Sequence, residues 1–171
     1  MTLKRSIVLT TAVLVVGASL SLAVRSASAD DKADIQALEK RIEDGLKARD
    51  AKAIMANYLP GNDLIVFDVI PPRQYKGWDA YKKDFEGFLA GCADTPTVEF
   101  TDVTIETAGK IAWGHSIQRI ACTDPKGGKM DLTSRVTDVY RKVKGKWLIV
   151  HEHVSVPVDL ATGKADLSSK P

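Results

Sequence analysis

From Asp34 to Lys47 the apolar residues Ile35, Leu38, Ile42 and Leu46 recur at intervals of three and four, the stripe of an amphipathic helix, with Glu39, Lys40 and Glu43 assigned to its wet side. Asp50 is placed to cap a second, short helix carrying Ile54, Met55 and Tyr58, which Pro60-Gly61-Asn62 ends. Leu64 to Val69 reads as a strand, and Pro71-Pro72 forces an extended turn. Trp78, Tyr81, Phe85, Phe88 and Leu89 return to helical spacing. After Gly91 the pattern changes to alternation. Val98 to Thr107, Ile111 to Cys122, Lys129 to Val143 and Lys146 to Val156 are β-rich runs, separated by Gly109-Lys110, Pro125 to Gly128 and Lys144-Gly145. Leading helices and a long antiparallel meander predict an α+β domain whose twisted sheet curls around the helices.

The first 29 residues have a different pattern. Lys4 and Arg5 precede an apolar stretch from Ile7 to Val24, and Ala27-Ser28-Ala29 fits the small-residue rule for signal-peptide cleavage. The expectation is therefore a signal peptide over 1–29, a domain over 30–159 and a flexible tail over 160–171, in a periplasmic or secreted protein that does not engage a membrane after cleavage. The alternative, a membrane-spanning anchor, is weakened by Thr10, Thr11, Gly17, Ser19 and Ser21 within the stretch. Of the 24 basic side chains, Lys4, Arg5 and Arg25 lie in this leader, leaving 21 against 22 acidic ones. Such a balance provides no electrostatic footprint for nucleic acid, which is excluded as a partner.

Export also changes what Cys92 and Cys122 mean, since thiols pair in an oxidising compartment when geometry allows. A turn near Ala108-Gly109-Lys110 brings their segments together, so a Cys92–Cys122 disulfide is expected; two unpaired thiols are the alternative. No sequence motif calls for a cofactor, and none is expected. His151 and His153 lack an evident third ligand, so no metal is expected either.

The order of elements, the Gly77-Trp78-Asp79-Ala80 helix start and the final run Trp147-Leu148-Ile149-Val150-His151-Glu152-His153-Val154-Ser155 resemble SnoaL-like, ketosteroid-isomerase-like proteins of the nuclear transport factor 2 superfamily. The ending also resembles the association domain of calcium/calmodulin-dependent kinases, which shares that fold. The resemblance implies a cone-shaped α+β fold, three N-terminal helices packed in a strongly curved, mainly antiparallel sheet. It implies function less sharply, because this fold hosts isomerases, dehydratases, binding modules and oligomerisation domains.

Two carboxylates match the isomerases. Val66-Phe67-Asp68, ahead of Pro71-Pro72, stands where those enzymes carry their general base, and Asp138 in Asp138-Val139-Tyr140-Arg141 stands where they carry a protonated acid that donates to an oxyanion. The resemblance is incomplete, because those enzymes also use a first-helix phenol and no Tyr occurs from Asp30 to Asn57. With Asp138 facing inward, strand alternation and the family's strand positions imply an inward set of Val136 and Tyr140; Trp113, His115, Ile117 and Arg119; and Leu148, Val150, Glu152 and Val154.

Asp68, Asp138 and His115 are thus the candidate catalytic groups. Trp113, Ile117, Arg119, Tyr140, Val150, Glu152 and Val154 are the candidate ligand-binding residues. Arg119 can pair with Glu152 or Asp138, and the alternative is that Arg119, Asp138 and Glu152 form a buried structural ion network around a cavity that binds nothing in particular. Trp147, Ile149, His151, His153 and Ser155 fall on the other face, where the resemblance implies a homodimer contact through the outer sheet. A one-residue bulge would exchange the faces. The expected partner is a small hydrophobic molecule, met by cofactor-independent isomerase or lyase chemistry on a carbonyl compound; the alternatives are a non-catalytic ligand-binding module or an oligomerisation module of the cell envelope.

Overall fold

A computed structural model describes residues 14–169, with side chains described from Ala29 onward. The expected signal peptide falls on residues 1–13, outside the described residues, and on a stretch for which only backbone is described. Helix α1 spans Leu14–Ala48, longer than the amphipathic stripe required. Ile35, Leu38, Ile42 and Leu46 are all buried, which fixes the orientation of its last turns on the sheet. Among the described residues no helix is long and apolar enough to cross a membrane.

Helix α2, Ala51–Met55, starts where Asp50 accepts a hydrogen bond from the Ala53 amide at 3.0 Å, the cap that its position predicts. It lies close against α1. A Cβ on Gly45 would sit 2.8 Å from Ile54 Cγ1, so only glycine allows that approach. Strand β1 (Ile65–Phe67) and the two-residue β2 (Tyr75–Lys76) form a short antiparallel pair around the Pro71-Pro72 turn, and α3 (Trp78–Ala90) follows. Strands β3 (Thr97–Ala108), β4 (Ile111–Thr123), β5 (Lys129–Val143) and β6 (Lys146–Ser155) then make the meander.

The six strands form one curved, open sheet in the order β2-β1-β6-β5-β4-β3. Only the β1–β6 junction is parallel, with Val66 beside Glu152. Two irregularities bend the sheet: a bulge between Thr101 and Thr104 of β3, with Asp102 at φ 51°, and a shift between β5 and β6 after Val139. The concave face holds α1, α2 and α3 against a core that includes Ile35, Leu38, Ile54, Leu64, Val66, Tyr140 and Ile149.

Cys92, just after α3, is bonded to Cys122 at the end of β4. The expected α+β class and helix-in-curved-sheet layout are both observed. After β6, Val158 bridges Ala165, and the Thr133 amide donates to the Leu167 carbonyl at 2.7 Å.

Candidate active site

The β1–β6 pairing places the first carboxylate. Val66 is fully buried, so Asp68, two residues on, turns to the same concave side just beyond the strand end. Glu152 lies beside Val66 on β6 and Asp138 lies opposite Glu152 on β5. Gly114 of β4 is the residue facing Asp138, and it lets the Tyr140 hydroxyl approach: a Cβ there would be 3.1 Å from that oxygen. Glu39 of α1 enters from the helix side, 6% exposed, and accepts the Tyr140 hydroxyl at 2.8 Å.

A cavity of about 170 Å³ opens between the sheet and α3. Glu39 and Glu152 border its interior, Asp68 and Asp84 its half-buried parts, and Phe85, Phe88, Ile120, Leu132 and Val154 its apolar walls. Two phenols serve one carboxylate. Tyr58 donates to Glu152 Oε2 at 2.6 Å, and Tyr81 donates a short hydrogen bond to Oε1 while its oxygen also lies 3.5 Å from Asp68 Oδ2.

Burial dominates the electrostatics. Removal from water raises the Glu39 carboxyl to about 7, against the opposing hydrogen bond from Tyr140. It raises Asp138 well above the usual carboxylate range, reinforced by the neighbouring Glu152 and Glu39 charges. Glu152 is raised by burial and lowered by its two phenols; Asp68 is raised by burial and lowered by the Val69 amide. Burial thus favours the protonated form of Asp138, and places the Glu39 carboxyl near neutrality.

Several expected site residues are elsewhere. Trp113 is 46% exposed, and with His115, Ile117 and Arg119 it lies on the convex face, because the β4–β5 register sets Gly114 and not His115 opposite Asp138. His115 Nε2 is within 2.8 Å of Thr104 Oγ1 on that outer face. Arg119 makes a two-pronged contact with Asp131 at 2.9 and 2.8 Å and reaches Glu99, so it pairs with neither Glu152 nor Asp138.

In β6, Asp138 pairs with Glu152 and Tyr140 with Ile149, so Val150 is the extra residue of a bulge and is absent from the cavity wall. This shift sends Trp147 and Ile149 into the core and leaves His151 and His153 outside. The anticipated outer stripe of Trp147, Ile149 and the two histidines is thereby divided between faces. Asp68, Asp138, Tyr140, Glu152 and Val154 do converge on the concave side.

Glu39, Tyr58 and Tyr81 complete the group. The assignment of Glu39 to water was wrong, although its position carried a signal: at about 100° per residue it falls within the same arc as Ile35, Ile42 and Leu46. The missing first-helix phenol is answered from other elements, by Tyr58 after α2, Tyr81 on α3 and Tyr140 on β5.

The family model described as the SnoaL-like domain matches residues 35–159. An NTF2-like protein of unknown function from Pseudomonas putida is 30% identical, with 86% of this chain and 98% of that one covered and a TM-score of 0.73. A candidate scytalone dehydratase from Novosphingobium aromaticivorans shares the fold at 18% identity, with 78% and 89% covered and a TM-score of 0.69. A candidate calcium/calmodulin dependent protein kinase II association domain from Xanthomonas campestris does so at 24%, with 71% and 84% covered and a TM-score of 0.61. No curated protein matches the chain.

Proposed function

The chain belongs to the SnoaL-like family, and on that footing we propose that it binds a small molecule in the concave cavity and moves a proton on it, as an isomerase or a dehydratase does. The observation that carries this reading is a mostly apolar cavity bordered by Asp68 on its half-buried side and by Glu39 within, two carboxyls that burial raises, Glu39 to about 7. Asp68 as carboxylate removes a proton from the carbon next to a carbonyl, while protonated Glu39 keeps its proton and hydrogen-bonds to the carbonyl oxygen as negative charge develops there. Return of the proton from Asp68 to another carbon gives an isomer. In the alternative outcome a β-hydroxyl departs with the Glu39 proton to give water and an alkene, leaving Asp68 protonated and Glu39 ionised, and exchange with solvent then returns a proton to Glu39 and takes one from Asp68.

Tyr140 holds Glu39, and Tyr58 and Tyr81 hold Glu152, so the phenols position acids here and do not themselves face the substrate carbonyl. His115 has no part in this chemistry, since its outer-face location replaces the auxiliary-acid role expected of it. Asp138, whose protonated form burial favours, acts behind Glu152 as an electrostatic partner.

The test is deuterium exchange in heavy water, followed by NMR, across small ketones and β-hydroxy carbonyl compounds. Exchange or water loss on some member, reduced about 10²-fold or more in Asp68→Asn, is the expected result. Saturable binding with no exchange by the wild-type protein would leave a binding module in place of an enzyme. Export and a homodimer joined through the outer sheet face belong to the same proposal, with Trp113, Ile111 and Phe67 among the exposed apolar residues of that face.

A further inference from the structure

Four carboxylates, Glu39, Asp68, Asp84 and Glu152, line the cavity, and no lysine, arginine or histidine does so among the described residues. The arginine expected to neutralise them is engaged on the opposite face of the sheet with Asp131 and Glu99. Behind Glu152, Asp138 is 3% exposed and its Oδ1 has no hydrogen-bond partner. A buried polar atom left open in this way is uncommon.

One side of the wall is aromatic, formed by Tyr58, Tyr81, Phe85 and Phe88, and the other is aliphatic. The rings of Tyr58, Tyr81 and Phe85 pack with centroids 4.8 to 6.2 Å apart, and Phe85 and Phe88 also border the void. Buried and half-buried carboxylates combined with aromatic faces form an environment that a small organic cation prefers, through ion pairing and attraction to the ring faces.

We propose that the molecule taken by this cavity carries a protonated amine, held between Glu152 and Glu39 with its apolar part against Phe85 and Phe88. This rests on the cavity being the ligand site, as in the function proposed above, and specifies the substrate class: a carbonyl or β-hydroxy compound bearing an ammonium group. The cation supplies the positive charge that the chain's own residues do not, and it favours the ionised forms of the carboxyls it meets. Binding therefore releases protons, and affinity falls as the pH is lowered and those carboxyls fill.

The titratable groups facing the cavity region are Glu39 from α1, Tyr58 after α2, Asp68 after β1, Tyr81 and Asp84 from α3, Asp138 and Tyr140 from β5 and Glu152 from β6; β4 contributes Gln118, which does not titrate. All the acids among them push in the same direction, so no facing base reverses the sign.

The experiment is calorimetric titration of the full chain with three single-ring probes of similar size: 2-phenylethylamine, 2-phenylethanol and phenylacetate, each at pH 7.5 and pH 5.5. The expected result is that the amine binds roughly tenfold or more tightly than the alcohol at pH 7.5, with net proton release and a weaker affinity at pH 5.5, while phenylacetate does not bind. Glu152→Gln should reduce the amine's advantage, and Glu99→Gln, on the outer face, should leave it unchanged. If Glu152→Gln fails to fold, the two-pH comparison on the wild-type chain decides alone. Binding of the alcohol as tightly as the amine, or tighter at pH 5.5, overturns the cation assignment and leaves the cavity reading standing. Silence from all three probes overturns the cation assignment as well, and the exchange experiment then judges the cavity.

Discussion

Gly114 and Glu39 show how single residues set this site. A Cβ at position 114 would stand 2.9 Å from the Thr104 carbonyl oxygen and 3.1 Å from the Tyr140 hydroxyl, contacts that neither backbone nor a buried ring relieves easily. Gly114→Ala should therefore cost about 1–3 kcal/mol, read as a lower denaturation midpoint, and should disturb the Tyr140–Glu39 hydrogen bond. Glu39 has a pH signature. Its folded carboxyl is raised from 4.5 to about 7, so between these values the folded state binds more protons than the unfolded chain, and stability falls as pH rises through that window. The full cost above pH 7 is on the order of 3 kcal/mol. Denaturant melts should show the wild-type protein less stable at pH 8 than at pH 5, and Glu39→Gln, which keeps an acceptor for Tyr140, should flatten that difference. An unchanged slope in the variant would assign the pH dependence to Asp138 and Glu152.

At the scale of elements, α3 forms one wall of the cavity through Tyr81, Asp84, Phe85 and Phe88, and its C-terminal end is tied to β4 by the Cys92–Cys122 bond. The bond closes a segment with a sequence separation of 30. Loss of it, by reduction or by the double change to alanine, should lower stability by about 3–4 kcal/mol, measured as a shift of the unfolding midpoint with and without reductant. The strand ends were legible within a residue or two because glycines at positive φ, Gly109 and Gly145, make the turns there. The faces of the strands were less so. Asp138 correctly anchors Val136 and Tyr140, yet carrying the alternation across a hairpin requires its register, and a one-residue difference inverts the neighbouring strand. That inversion moved Trp113, His115, Ile117 and Arg119 outward. The bulge at Val150 did the same within β6, sending Trp147 and Ile149 inward while Glu152 and Val154 kept their expected side.

For the whole molecule, the two faces of one sheet divide the chemistry. The concave face gathers acids and phenols; the convex face carries Trp113, Ile111, Arg119 and all three histidines. The proposed self-association belongs to the convex face, and it predicts that wild-type protein has a dimer's mass in light scattering and that Trp113→Asp, at a 46% exposed position, shifts it toward the monomer without loss of fold. A wild-type monomer would remove that part of the proposal. Local patterning was enough to specify the helices, the four long strands, the α+β class and the two cysteines brought together, since each follows from periodicity, capping and turn chemistry over short stretches of chain. Register, bulge and helix orientation arise only when distant segments pack. For this reason folding alone settled that Glu39 is buried, that Tyr58 and Tyr81 meet on Glu152, and that no basic side chain lines their cavity among the described residues.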